Sequence, residues 1–238
     1  MKKFLSFLMC TLMLFALAGC ENEIFSDPES ANTTLESSEQ KNVTTNTFSE
    51  ATKENGFDEQ EVIKALKVTQ YEFEDGLNTQ WVVLVVDNTS AFHLNIQATV
   101  NFKDADNNLI GTDDAGYSPF ESGQSTVFAF SADEEYAAFD YEFSVSEESL
   151  YQPVVSDLEC KTNIAKDKAV ISITNNGEEA AEFVRYTALF FKGDQLVSFD
   201  WGYATDNDSE IKPGKTINQE AACYEDFDSV KVYLSGRR

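Results

Sequence analysis

Histidine is almost absent from this chain: His93 stands alone among 238 residues. A Ser-His-acid or Cys-His nucleophile system would have to use it, and nothing nearby reads as a nucleophile elbow. A histidine-built zinc site is excluded on the same ground, so His93 reads as a satisfied surface or loop residue. Basic residues are scarce as well, with 17 lysines and arginines against 42 aspartates and glutamates and a formal charge of −25. That balance excludes nucleic acid as a partner, because phosphate neutralisation needs clustered cations. It also opposes lying flat on an anionic lipid surface. Cysteine is limited to Cys10, Cys20, Cys160 and Cys223, too few for a four-cysteine metal site beyond position 20. After the first twenty residues no apolar run is long enough to span a bilayer, which takes about 20 residues.

What is present begins with Met1-Lys2-Lys3, a small positive head, and an apolar run from Phe4 to Ala18 broken only by Ser6 and Thr11. This is the layout of a secretory signal over 1–19. Leu17, Ala18 and Gly19 then lead into Cys20, and the four together look like a bacterial lipobox. The resemblance implies cleavage after Gly19 and a diacylglyceryl group on the Cys20 sulfur. It places the chain on the extracytoplasmic face of a bacterial cell membrane, joined to the lipid bilayer covalently. Two acyl chains meet the requirement for stable anchoring, at about 0.8 kcal/mol per buried methylene. Loss of Lys2 and Lys3 takes the formal charge from −25 to −27, which keeps a surface protein soluble.

Residues 20–56 read as the lipidated cysteine and a tether. The stretch is rich in Ser, Thr, Asn and Glu and cannot bury enough apolar surface to offset its ordering. As a flexible chain it would span about 35 Å root-mean-square. Asp58-Glu59-Gln60-Glu61 opens a short helix over 58–66, with Asp58 as cap and Glu61 where a capping box wants an acid.

From Lys67 the pattern has period two. Leu94 to Lys103 alternates apolar and polar residues without a fault, as a half-buried antiparallel strand does. Trp81 to Val86 is a continuous run suited to a strand buried on both faces. Asp104 to Asn108 and Ser122-Gly123-Gln124 read as turns. The second half then repeats the first in order. Trp81–Asn88 aligns with Lys168–Asn175, Val100–Asp104 with Leu189–Gly193, Glu121–Gln124 with Lys212–Lys215, and Tyr136–Val145 with Tyr224–Tyr233. The period suits a small sandwich of six or seven strands. The expected fold is all-β: one sandwich over 57–149 and a second over 150–238.

These landmarks are a strand ending in an Asn turn, a strand running into Phe102-Lys103-Asp104, and a Gly turn before a closing Tyr strand. Together they resemble the FxLYD domain, an immunoglobulin-like module of bacterial surface lipoproteins. The resemblance covers both repeats and implies no active site.

Three groups of residues remain as candidate sites. Asp104, Asp106 and Asn108 imitate the first half of a calcium loop, although Leu109 stands where an EF-hand needs Gly; a polar hairpin turn is the alternative. Cys160 and Cys223 are either a disulfide or two separate small hydrophobes. A bridge would close a loop of about 60 residues, for roughly 4 kcal/mol. Copy two also carries apolar residues on two strand faces where copy one has one. Tyr186, Phe190, Phe199, Trp201 and Tyr203 stand on them, as core and contact with the first domain or as an exposed platform for glycan or protein. The many acids show no spacing that singles out a catalytic pair. The expected function is therefore non-enzymatic, without cofactor: an interaction or scaffolding module of the cell envelope, or a glycan- or solute-binding lipoprotein using that aromatic face.

Overall fold

The computed structural model describes residues 56–205 and 209–238. The signal segment, Leu17 to Cys20 and the tether up to residue 55 lie outside the described residues. Helix α1 (Glu59–Lys64) opens the folded part. Asp58 Oδ1 accepts from the Gln60 and Glu61 amides at 3.1 and 3.3 Å, as a capping residue does. The helix is shorter than expected because β1 takes over at Leu66, and Glu61 turns its carboxylate to Lys64 at 2.8 Å.

Copy one has six strands: β1 (Leu66–Glu74), β2 (Gln80–Asn88), β3 (Leu94–Lys103), β4 (Leu109–Phe120), β5 (Ser125–Ser131) and β6 (Ala138–Glu147). They form two antiparallel sheets, ordered β1-β2-β5 and β4-β3-β6. Copy two repeats the plan with β7 (Leu158–Ile164), β8 (Lys168–Asn175), β9 (Ala181–Lys192), β10 (Gln195–Tyr203), β11 (Glu210–Ile211), β12 (Thr216–Ala222) and β13 (Ser229–Arg237). Its sheets are β12-β8-β7 and β10-β9-β13, with two-residue β11 also on β9. The chain is thus two tandem immunoglobulin-like β-sandwiches. Each keeps the A-B-E sheet and the C′-C-F sheet of that fold and lacks its last strand.

The alternation in β3 decides how copy one closes. Leu94, Ile96, Ala98, Val100 and Phe102 are all buried against Leu84, Phe128 and Phe130 of the opposite sheet. Each such side chain contributes about 1.5–3 kcal/mol on burial. In copy two, Ile171 and Ile173 of β8 meet Val184, Tyr186, Ala188 and Phe190 of β9.

A third apolar cluster joins the copies. Val83 and Val85 of β2 and Val127 of β5 turn away from the core of copy one onto Leu189, Phe191 and Leu196 of copy two. Edge-to-face aromatic pairs surround them: Tyr71 with Phe191 at 5.4 Å and Trp81 with Phe199 at 4.9 Å. The run from Trp81 to Val86 is continuous for this reason. Its even positions fill one sandwich and its odd positions the contact with the next. The four sheets therefore stack as layers, β4-β3-β6 outermost, then β1-β2-β5, β10-β9-β13 and β12-β8-β7.

Candidate functional site

The five aromatic residues expected to form one platform do not share a surface. Tyr186 and Phe190 face into copy two and are buried. This corrects the platform reading for both: on β9 they sit in alternate register with Leu189 and Phe191, which face copy one. Phe199 is held between Trp81 and Phe73, at 4.9 and 6.1 Å, inside the junction. Only Trp201 and Tyr203 stay outward, 50% and 53% exposed at the rim. Gly202 between them is fixed by packing, because a Cβ there would lie 2.8 Å from Tyr186 Oη. That hydroxyl donates to the Glu220 carbonyl at 3.3 Å.

Beside Trp201 lies a feature that periodicity does not announce. Arg185 of β9 projects into the junction with its guanidinium carbon 4.2 Å from the Trp201 ring centre and 5.5 Å from that of Tyr117 on β4. Its Nε is buried without a hydrogen-bond acceptor among the described residues. Two cavities flank it, of about 260 and 280 Å³. The smaller is lined by Tyr117, Ser118, Phe183, Tyr203, Ser235 and Arg237; the larger adds Trp81, Phe199 and Trp201. Burial pushes the Tyr117 phenol above its ordinary pKa, a shift that the Arg185 charge and the Thr187 and Thr126 hydroxyls partly offset. Arg237 stacks on Tyr151 at 3.9 Å and on Phe183 at 4.5 Å. Phe183 itself sits at φ +49° and is 44% exposed. A left-handed backbone at a bulky residue is sparsely populated and costly, and such strain tends to collect at functional sites.

The remaining predicted residues lie away from this cleft. Cys160 and Cys223 are both free thiols, a correction to the disulfide reading. Cys160 on β7 pairs across to Ile173 of β8, whereas the Cys223 amide donates to the Asp167 carbonyl before the start of β8. Six residues of strand, about 20 Å, separate those levels. A bridge needs the two Cα atoms within about 7 Å. Both thiols have raised pKa values, burial being the main cause. At Asp104, Oδ1 accepts from the Asp106 and Asn108 amides at 2.9 and 2.8 Å, and Oδ2 from Asn108 Nδ2 at 3.0 Å. These bonds hold its pKa low and make it the cap of a hairpin turn. Among the described residues no three acids, cysteines or histidines gather as a metal site. His93 Nδ1 accepts from the Ser122 amide at 3.1 Å, tying the start of β3 to a turn. Cys20 and the lipobox lie outside the described residues.

The strand pattern puts Arg185 on the outer face of β9 and attaches no role to it. The chain has only three arginines, and two of them meet in this one cleft. That scarcity is the signal that could have found it.

No protein-family profile matches the chain, and no curated protein does. Among solved structures it is similar to red sea bream transglutaminase, at 12% identity and a TM-score of 0.24, over 72% of this chain. The chain spans 29% of the length of that enzyme.

Proposed function

We propose that the chain is an exported bacterial lipoprotein, fixed by lipid on Cys20, whose folded part is a non-enzymatic interaction module of the cell envelope. The stretch between Cys20 and Gly56 serves as the spacer from the membrane. One observation supports the binding role most. In a chain of net charge −25, the cleft at Arg185 is lined by two arginines and several aromatic rings and by no carboxylate among the described residues. Ordinary surface here is acidic, and a pocket whose described lining carries no acid and is rich in aromatic residues is suited to holding something else. The resemblance to FxLYD modules of surface lipoproteins agrees with that role.

The anchor is tested by expressing the full chain in a bacterium fed an alkyne-tagged fatty acid. Label should enter the wild-type chain and be lost in Cys20→Ser, which should also leave the membrane fraction. An unlabelled wild-type chain overturns the anchor. For the binding role, crosslinking on whole cells should give adducts with envelope components that disappear in Trp201→Ala/Tyr203→Ala. Adducts unchanged by that double variant overturn it.

A further inference from the structure

Arg185 is half-buried, and its Nε is enclosed without an acceptor among the described residues. An enclosed donor left unpaired is costly unless something pairs with it. The described ion pairs elsewhere show how this chain usually treats cations. Lys64, Lys103, Lys161, Lys168 and Arg238 each meet a carboxylate. Arg185 and Arg237 meet none among the described residues, and both lie over aromatic rings instead. Attraction to the Trp201 ring holds the Arg185 guanidinium in place. A planar fork with free N–H groups matches a carboxylate in bidentate fashion.

The rest of the lining narrows the ligand. Tyr203 and Ser235, which carry hydroxyls, line the same cavity as both arginines, whereas the Ser118 hydroxyl donates to the Glu148 carboxylate. Tyr203 lines that cavity and is half-exposed, and Trp201, also half-exposed, lines the cavity on the other side of Arg185. Hydroxyls to donate and accept, ring faces to cover C–H groups and a cationic fork together suit a sugar ring that carries an acid. A bare phosphate would use the fork and leave the ring faces wet. The two cavities on either side of Arg185, about 260 and 280 Å³, share Gly116, Tyr117 and Arg185 in their linings, and each stands just under the roughly 300 Å³ at which small-ligand sites begin.

We infer that the cleft between the two sandwiches binds a carboxylate-bearing saccharide, with Arg185 and Arg237 on the carboxylate and Trp201 and Tyr203 on the ring. The assignment rests on the proposed binding role and names its ligand.

The test is calorimetric titration of the full lipidated chain in detergent with glucuronate, glucose, inorganic phosphate and a Glu-Glu dipeptide. Glucuronate should bind with a Kd of about 1 mM or tighter, and the other three at least about tenfold more weakly. Arg237→Gln and Arg185→Lys should each weaken glucuronate about tenfold or more. Arg237 is half-buried at the end of β13, so melting temperatures are read alongside, and Arg237→Gln should lose affinity while it keeps a cooperative unfolding transition. Absence of glucuronate binding, equal binding of phosphate or dipeptide, or unchanged affinity in Arg237→Gln overturns the inference. If glucuronate fails while the Trp201- and Tyr203-dependent adducts on whole cells persist, the ligand class is wrong and the binding role stands. If both fail, the binding role falls too.

Discussion

Asn88 and Asn175 occupy the same node in the two sandwiches and make the same bonds there. Asn88 Nδ2 donates to the carbonyls of Phe92 and Phe120 at 2.9 and 3.3 Å. Asn175 Nδ2 donates to those of Glu179 and Ile211 at 2.7 and 2.8 Å. The main chain repeats as well: Gly123 donates to the Asn88 carbonyl and Gly214 to that of Asn175, each at 2.8 Å. Both side chains are buried. Each ties the end of one sheet to the crossing strand of the other, which is why an Asn closes both aligned strands.

Replacing either asparagine by Ala should therefore strand two buried carbonyls. The cost of a buried unsatisfied polar group is about 1–3 kcal/mol. Asn88→Ala and Asn175→Ala should each lower stability by about 2–3 kcal/mol in urea unfolding followed by tryptophan fluorescence. An effect below about 0.5 kcal/mol in both would mean that the node contributes nothing to stability.

The junction between the copies should unfold with them. Leu189 is fully buried between Val83, Val85 and Val127 on one side and its own sheet on the other. Leu189→Ala should cost about 2–4 kcal/mol. Leu189→Asp, which buries an unpaired charge, should split a single calorimetric transition into two. A single transition in Leu189→Asp at the wild-type temperature would contradict the layer stack.

Some of this is plain in the sequence, and the rest is hidden for identifiable reasons. β3 is legible to the residue because one of its faces meets water and the other meets core, so alternation is unbroken. The double-sided character of β2 is legible because both of its faces are dry. The repeat, the hairpin at Asp104 and the Asp58 cap are local features, and local spacing reveals them. Copy two is harder, since both faces of β9 are apolar and period alone cannot say which meets its own sandwich and which its neighbour. The cysteines mislead for a related reason. Aligning Cys160 with one end of a sandwich and Cys223 with its last strand fixes their order in the chain, not their level along β8. Arg185 is hidden because its partners, Tyr117 and Trp201, come from different copies.

With the cysteines at different levels, the exported chain should keep both thiols. Burial raises both pKa values, which lowers the thiolate fraction and slows alkylation. Intact mass after iodoacetamide under non-reducing conditions should show slow labelling in the folded protein and two additions after denaturation. Reductant should leave the melting temperature unchanged. A single species two mass units lighter that resists alkylation would restore the bridge.

Asp75 gives the pH prediction. Its Oδ2 accepts from Trp81 Nε1 at 2.9 Å, and Oδ1 from the Leu77 and Thr79 amides at 2.8 and 2.9 Å. The Trp81 bond is the main cause that holds this carboxyl below its ordinary pKa. A folded pKa below the unfolded value of about 3.9 means that the stabilisation is complete above that value and is lost as pH falls through the folded one. Solvent screening at this half-exposed hairpin keeps it to about 1 kcal/mol or less. Asp75→Asn places an amide where the ring N–H needs an acceptor and should be less stable than wild type at neutral pH. The gap in urea midpoint should stay level from about pH 7 to pH 5 and narrow below about pH 4, as the wild-type carboxyl takes up its proton. A gap that stays constant down to about pH 3 would show that the Trp81 bond does not depend on the charge, and that the turn between β1 and β2 is held by its backbone alone.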